Sequence, residues 1–237
     1  MSRIPRSIIF SAFVFATAML ALAQPPTAMN GFYNLSEPGS SAAAEKVLKA
    51  NLLEPLSAGL RESSVATAYL DALGILEEKG TCSDFFGGSE ASTLVLKELV
   101  TKLEEVPLKS RDVGLRMFGE IVTVKNMRLN ISYRMFEKAI VNTKGPFFQS
   151  GGNWKHVGSF TSSSREARAL MLLHELAHLM TNPNGDYLIP DDGKGNHPML
   201  SVQNSKTIEA TCRAPLLALK RKPQLNLQEL AKLIIQS

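Results

Sequence analysis

The sequence has little of most features that would assign a function by composition alone. Its 237 residues include two cysteines and one tryptophan, and its 26 basic residues exceed its 22 acidic residues by only four. Two cysteines cannot build a disulfide scaffold or a four-thiolate metal site. A mean hydropathy of -0.01 with 20% charged residues excludes an intrinsically disordered polyelectrolyte and a polytopic membrane protein. A chain of this length can bury one substantial hydrophobic core.

A long apolar run at the N-terminus predicts a secretory signal peptide. Residues 8–22 follow the basic residues Arg3 and Arg6, and the run ends at the small residues Ala21 and Ala23. The run is shorter than the roughly 20 residues that span a bilayer, which favours cleavage after Ala23 over an uncleaved anchor. We therefore expect a secreted or periplasmic protein with no stable membrane anchor.

Export changes the interpretation of both the charge and the cysteines. Removal of residues 1–23 takes away two arginines and no acidic residue, so the net charge falls from +4 to +2 and we expect no nucleic-acid partner. In an oxidising compartment, Cys82 and Cys212 are expected to form a disulfide. It would close a loop of about 130 residues, for which a chain-entropy model gives about 4 to 5 kcal/mol of stabilisation.

Hydrophobic periodicity predicts that the exported chain begins with a linker and a helical portion. Residues 24–40 lack periodicity and are the predicted linker. Residues 41–110 are the predicted helical portion, with apolar side chains at helical spacing at residues 65–76 and again at residues 94–103.

A small, mainly antiparallel sheet is predicted in the middle of the chain. Residues 127–135 alternate between apolar and polar side chains, which predicts a strand with one buried face. Residues 115–124 and 139–141 are weaker strand candidates. Helical patterns return after the sheet and include a C-terminal helix around residues 227–234. We therefore assign residues 111–237 to one core and expect the α+β class.

The strongest helical pattern in the chain lies between Ser162 and Met180. Ser163 and Glu166 stand at capping-box spacing near its start, and the pair Asn182-Pro183 follows its end. The flanks of its central polar residues are apolar, which predicts a helix packed in the core.

This helix contains the motif His174-Glu175-Leu176-Ala177-His178. Four residues advance a helix by about 400°, so both imidazoles project from one face, one turn apart. That separation allows two ring nitrogens to bind one Zn²⁺. Glu175 would then take a proton from a water molecule that the metal activates. A buried helix carrying these three polar groups would pay a large desolvation cost if no ligand were present.

The motif resembles the HExxH signature of the zincin metallopeptidases. The resemblance covers the Ser162–Met180 helix and the strand-rich stretch before it, where zincins place a small sheet whose edge strand aligns the peptide substrate. It implies that His174 and His178 bind Zn²⁺, that Glu175 is the catalytic base, and that the substrate is a peptide or protein.

The residues after the motif exclude one zincin subfamily. Metzincins carry Gly three residues and His six residues beyond the second histidine, whereas this chain has Thr181 and Asn184 there. Gluzincins take their third ligand from a Glu on a following helix. Glu209 lies 31 residues beyond His178 in a helical stretch, although Arg213 replaces the Asp of the thermolysin-like pattern.

An aspartate is the other candidate third ligand, and this arrangement would resemble the aspzincins. Asp191 and Asp192 lie 13 and 14 residues beyond His178, and Gly193 follows them. A short side chain held in a turn can present a rigid carboxylate. Glu209 is ranked slightly ahead of Asp192 because Cys212 lies on nearly the same helical face and its disulfide would hold that helix against the core.

Three further residues could assist the chemistry as hydrogen-bond donors or as partners of the ligands. They are His156, Tyr187 and His197. The favoured interpretation of each is an ordinary loop or surface residue. The sequence therefore predicts a secreted zinc-dependent peptidase, and the alternative is a secreted, non-catalytic module that binds zinc or a protein partner.

Overall fold

The computed structural model describes residues 54–56, 59–60, 64–150, 155–192 and 198–222. The predicted signal peptide, the linker at residues 24–40 and the helix around residues 227–234 lie outside the described residues. Within the described part of the chain, none of the helices combines the length and the apolar character needed to cross a membrane.

The described chain is a mixed α+β structure, as the periodicity predicts. Its elements in chain order are α1 (Ser64–Glu77), α2 (Thr81–Phe85), α3 (Ser89–Thr101), β1 (Leu103–Val106), β2 (Leu115–Asn126), β3 (Ile131–Asn142), β4 (His156–Val157), β5 (Phe160–Thr161), α4 (Arg165–Leu179) and α5 (Pro198–Ala218).

Three strands form the main sheet, in the order β1-β3-β2. The long β2–β3 hairpin is antiparallel, and the short β1 pairs in parallel with β3 from Leu103 opposite Ala139. The two weaker strand candidates are confirmed, because residues 115–124 lie in β2 and residues 139–141 lie in β3. Strands β4 and β5 form a separate two-stranded hairpin.

The predicted strand at residues 127–135 is wrong in its first half, which is the turn of the β2–β3 hairpin. Met127 is 82% exposed, and Asn130 has a φ of 50°. The side chain of Asn126 accepts a hydrogen bond from the backbone N–H of Leu129 at 3.1 Å. Asparagine favours both of these turn conformations, so the two asparagines reverse the chain in spite of the alternating pattern.

The prediction of a single buried face for this strand is also wrong. Tyr133, Arg134 and Met135 are consecutive in β3 and all three are buried. Arg134 points to the face opposite its neighbours, where its Nε donates to the carbonyl of His178 at 2.6 Å. Both faces of β3 are therefore covered at this point, one of them by the chain segment that leaves α4.

Helix α4 lies at the centre of the fold, between α1 and α5. It begins at Arg165, three residues later than predicted, because Ser163 has a left-handed φ of 62°. Ser164 is the N-cap, and its side chain accepts from the backbone N–H of Ala167 at 3.2 Å. The predicted capping box between Ser163 and Glu166 is therefore corrected to a cap by the next serine.

The predicted disulfide between Cys82 and Cys212 is present and joins α2 to α5. Helix α5 departs from helical geometry at Cys212 and contains Pro215. Proline has no N–H to donate to the carbonyl four residues earlier, which belongs to Thr211. The hydroxyl of Thr81 donates to that carbonyl at 3.4 Å instead. The kinked end of α5 is therefore held to α2 by a covalent bond and a neighbouring hydrogen bond.

Candidate metal centre

The C-terminal half of α4 brings two imidazoles together inside the protein. His174 and His178 are 6% and 4% exposed, and their Nε2 atoms are 3.0 Å apart. Two ring nitrogens at this separation can share a hydrogen bond when one of them carries the hydrogen, or can both bind one metal ion. The helical spacing of the motif thus has the geometric result that the sequence predicts.

Asp192 completes the cluster, and the three residues are arranged as metal ligands would be. Its Oδ2 lies 3.2 Å from Nε2 of His174, and its Oδ1 lies 3.2 Å from Nε2 of His178. Two ligand atoms that each lie about 2.05 Å from a tetrahedral Zn²⁺ are about 3.3 Å apart. The two imidazole nitrogens are 3.0 Å apart and each lies 3.2 Å from a different oxygen of the carboxylate, so these side chains could hold a metal ion such as Zn²⁺.

The electrostatics of Asp192 keep this carboxyl ionised. Burial raises its pKa, but hydrogen bonds from His174 and His178 and the charge on those imidazoles outweigh burial and hold the pKa well below its usual range. A carboxylate is the form of Asp that binds metal ions, so Asp192 is in its ligating form.

Helix α5 supplies hydrogen-bond partners for two members of the cluster. Ser205 Oγ lies 3.0 Å from Nδ1 of His174, on the side of the ring opposite the cluster. The amide nitrogen of Asn204 donates to Oδ2 of Asp192 at 3.2 Å and to the carbonyl of Pro190 at 2.9 Å. The first turns of α5 therefore hold both a histidine and the loop that carries the aspartate.

Glu175 is half-buried beside the cluster and is not a member of it. Burial raises the pKa of its carboxyl to about 7, the charge of His174 opposes this rise, and the carboxylates of Asp192 and Asp191 add to it. A carboxyl group with a pKa near neutrality can both accept and donate a proton.

The structure places Glu209 away from the histidines, so the preference for Glu209 as third ligand is corrected in favour of Asp192. Glu209 accepts a hydrogen bond from the backbone N–H of Ser159 at 2.8 Å, another from the Ser159 hydroxyl, and one from Arg213 at 2.5 Å. Helices α4 and α5 are antiparallel here. Because Ser205 faces His174, Glu209 lies one turn too far along α5.

The three residues proposed as assisting groups have different positions. His156 is exposed on β4, and His197 lies outside the described residues. Tyr187 is 43% exposed, and its ring stacks on the guanidinium of Arg134 with 4.0 Å between Cζ and the ring centroid. Arg134 also lies 3.8 Å from the carboxylate of Asp191. Tyr187 is thus part of the segment between α4 and Asp192, and no described contact links it to the histidines.

Sequence reasoning missed Asn204, Ser205 and Arg134. Asparagine and serine are poor formers of helix interiors, and both favour hydrogen bonds to nearby groups. Two such residues in succession inside a helical stretch were therefore a usable signal for Asn204 and Ser205. Arg134 carried no comparable signal, because it occupies a polar position in an alternating pattern and its burial depends on the loop after α4.

Comparisons with known proteins do not assign this chain to a family. Protein-family models, curated proteins and solved structures all give no match to it. The function must therefore be inferred from the chemistry of the residues at the site.

Proposed function

We propose that this protein is a secreted zinc-dependent peptidase in which His174, His178 and Asp192 hold the metal ion. The observation that carries the proposal is the convergence of two imidazole nitrogens and one carboxylate within 3.2 Å of one another. The order of the elements supports it, because a small sheet precedes the HExxH helix in the chain, as it does in zincins.

The ligand set is compatible with a catalytic zinc site. Structural zinc sites in proteins use four protein ligands, whereas catalytic sites use three and leave a position for water or substrate. Three side chains that can bind a metal ion converge among the described residues, and Glu209 is engaged by Ser159 and Arg213. Glu175 directly follows His174, and its raised pKa supports the role of a general base, so we favour an enzyme. A fourth protein ligand at the site would support the alternative of a non-catalytic zinc-binding module.

A zinc ion held by His174, His178 and Asp192 would supply Lewis-acid chemistry, which would polarise the scissile carbonyl and lower the pKa of a water molecule. Glu175 accepts a proton from that water as the water oxygen bonds to the carbonyl carbon, and it donates the proton to the leaving amine as the C–N bond breaks. The charges of His174 and Asp192 act on the Glu175 carboxyl, which supports a proton exchange near the cluster. Asp192, His174 and His178 keep the metal ion in a fixed position during this exchange.

The decisive experiment measures zinc content and peptide hydrolysis in the same preparations. We expect one zinc ion per chain in the native protein, and a 10²- to 10⁴-fold loss of turnover in Glu175→Gln with zinc retained. Asp192→Asn should lose zinc, whereas Asp191→Asn, a matched change at the neighbouring carboxylate, should keep it. A native protein that is free of metal and indifferent to chelators would overturn the proposal. Stoichiometric zinc without hydrolysis of any peptide would favour the non-catalytic module.

A further inference from the structure

We propose that Asn204 and Ser205 are positioning residues that orient the metal ligands, so that the affinity of the site depends on α5 as much as on the HExxH helix. This inference rests on the proposed function, because it requires His174 and Asp192 to bind a metal ion. It assigns a role to two neighbouring side chains that are not themselves ligands.

Ser205 holds the orientation of His174 and can accept the hydrogen of the tautomer that metal binding requires. When Nε2 of His174 binds a metal ion, the ring hydrogen resides on Nδ1 and is available for donation. The Ser205 hydroxyl lies 3.0 Å from Nδ1 and can accept that hydrogen. The bond holds the ring plane at the angle that directs Nε2 toward Asp192.

Asn204 fixes the carboxylate of Asp192 by binding it and its loop at once. The Asn204 side chain is 2% exposed, and its single amide nitrogen donates both to Asp192 and to the carbonyl of Pro190. Asp192 lies in a loop, where a carboxylate would otherwise have several orientations to lose on binding metal. The two hydrogen bonds remove most of that freedom before the metal arrives.

His178 provides an internal contrast to His174. Its Nδ1 is buried and has no hydrogen-bond partner among the described residues, so its ring is held by packing rather than by an acceptor. Asn204 and Ser205 therefore support Asp192 and His174, whereas His178 is held by its position in α4. A change in α5 should weaken the site without removing any ligand.

The test is the zinc affinity of the full exported chain, measured by competition with a chromophoric chelator. Ser205→Ala and Asn204→Ala should each bind zinc 10- to 100-fold more weakly than the native protein. Thr207→Ala and Gln203→Ala remove a hydroxyl and an amide from exposed positions of the same helix, and they should bind zinc as tightly as the native protein.

Two further measurements separate positioning from general destabilisation. The melting temperature of each metal-free variant shows whether the fold is intact, and the Co²⁺ absorption spectrum reports on the ligand geometry. Ser205→Thr, which keeps the hydroxyl, should restore the zinc affinity that Ser205→Ala loses.

The outcomes distinguish this inference from the proposed function. If the native protein binds no zinc, the proposed function fails and this inference fails with it. If the native protein binds zinc and both alanine variants bind it equally well with an unchanged Co²⁺ spectrum, only the positioning role is overturned. A loss of affinity that matches the loss in Thr207→Ala and Gln203→Ala would also overturn it.

Discussion

The substitution Gly158→Ala tests the turn of the β4–β5 hairpin, where Glu209 has its structural role. Gly158 has a φ of 59°, in the left-handed region, and a Cβ built on it would collide with the Glu209 carboxylate and lie 3.1 Å from a methyl of Leu170. The carboxylate accepts both donors of Ser159 and is almost entirely buried. The new methyl group therefore has to displace a buried charged group from its hydrogen bonds.

The expected cost has two parts. An alanine in the left-handed region costs about 1 to 2 kcal/mol relative to glycine. Moving the Glu209 carboxylate weakens hydrogen bonds to a buried charged group, which adds about 1 to 3 kcal/mol. We therefore expect Gly158→Ala to lower the free energy of unfolding by about 2 to 5 kcal/mol, a large fraction of the stability of a domain of this size.

Gly185→Ala is the matched control for the backbone contribution. Gly185 has a φ of 88°, and a Cβ built on it has open space around it. We expect Gly185→Ala to lower the free energy of unfolding by only about 1 to 2 kcal/mol, which is the cost of an alanine in the left-handed region. Urea denaturation followed by circular dichroism measures both losses.

A double-mutant cycle isolates the collision with the carboxylate. In a Glu209→Ala background the carboxylate is gone and only the Leu170 methyl stays close, so adding Gly158→Ala should cost clearly less than it costs in the native chain. The reasoning is refuted if the two glycine variants lose equal stability, or if the cost of Gly158→Ala is unchanged when Glu209 is absent.

Two further predictions concern buried polar groups outside the metal centre. Tyr69→Phe should leave the free energy of unfolding unchanged or raise it by about 1 kcal/mol, because the buried Tyr69 hydroxyl has no hydrogen-bond partner among the described residues. Tyr133→Phe is the contrasting variant, since it loses a 2.6 Å hydrogen bond to Glu98. It should lower the free energy of unfolding by about 1 kcal/mol in the same urea assay. Arg165→Met should cost about 3 to 5 kcal/mol at pH 7, because it leaves the carboxylate of Asp71 buried without its two hydrogen bonds from Arg165. Burial already raises the pKa of Asp71, and removing the opposing guanidinium raises it further. The protonated Asp71 carboxyl is therefore favoured in the folded variant. As the pH falls from 7 to 4, the loss of unfolding free energy in Arg165→Met relative to the native protein should become smaller. An equal loss at both pH values would contradict this account.

The parts of the fold that could be predicted from the sequence are those that depend on local periodicity or on simple counting. The apolar residues on either side of His174 and His178 are sufficient to predict α4, because the pattern of a buried helix lies in its own sequence. The pairing of Cys82 with Cys212 follows from their number and from the expectation of export. The direction of the two imidazoles follows from the pitch of the helix.

The third member of the candidate metal cluster could not be predicted, because it depends on how two helices align across an intervening loop. Glu209 and Asp192 are both at feasible distances from His178 along the chain. The choice is made by the antiparallel packing of α5 on α4, which sets Ser205 against His174 and leaves Glu209 one turn away. The hydrophobic periodicity of α4 and that of α5 give no information on how the two helices align with each other.

The hairpin turn shows a different limit of pattern analysis. Met127 and Leu129 occupy apolar positions of an alternating pattern, and Asn130 occupies a polar one, so the whole segment satisfies the pattern of a strand. Asparagine in a polar position is equally compatible with a turn, and only the pairing of β2 with β3 decides between them.

The spacing of the contacts along α5 has a consequence for how this chain can change in length. Ser205, Glu209 and Cys212 follow one another at intervals of four and three residues, so they lie along one stripe of the helix. That stripe meets His174, the β4–β5 turn and α2 in succession. One inserted residue before Ser205 would rotate all three by about 100° and release all three contacts together. Substitutions can therefore accumulate on the outer face of α5, whereas insertions and deletions within it would be excluded.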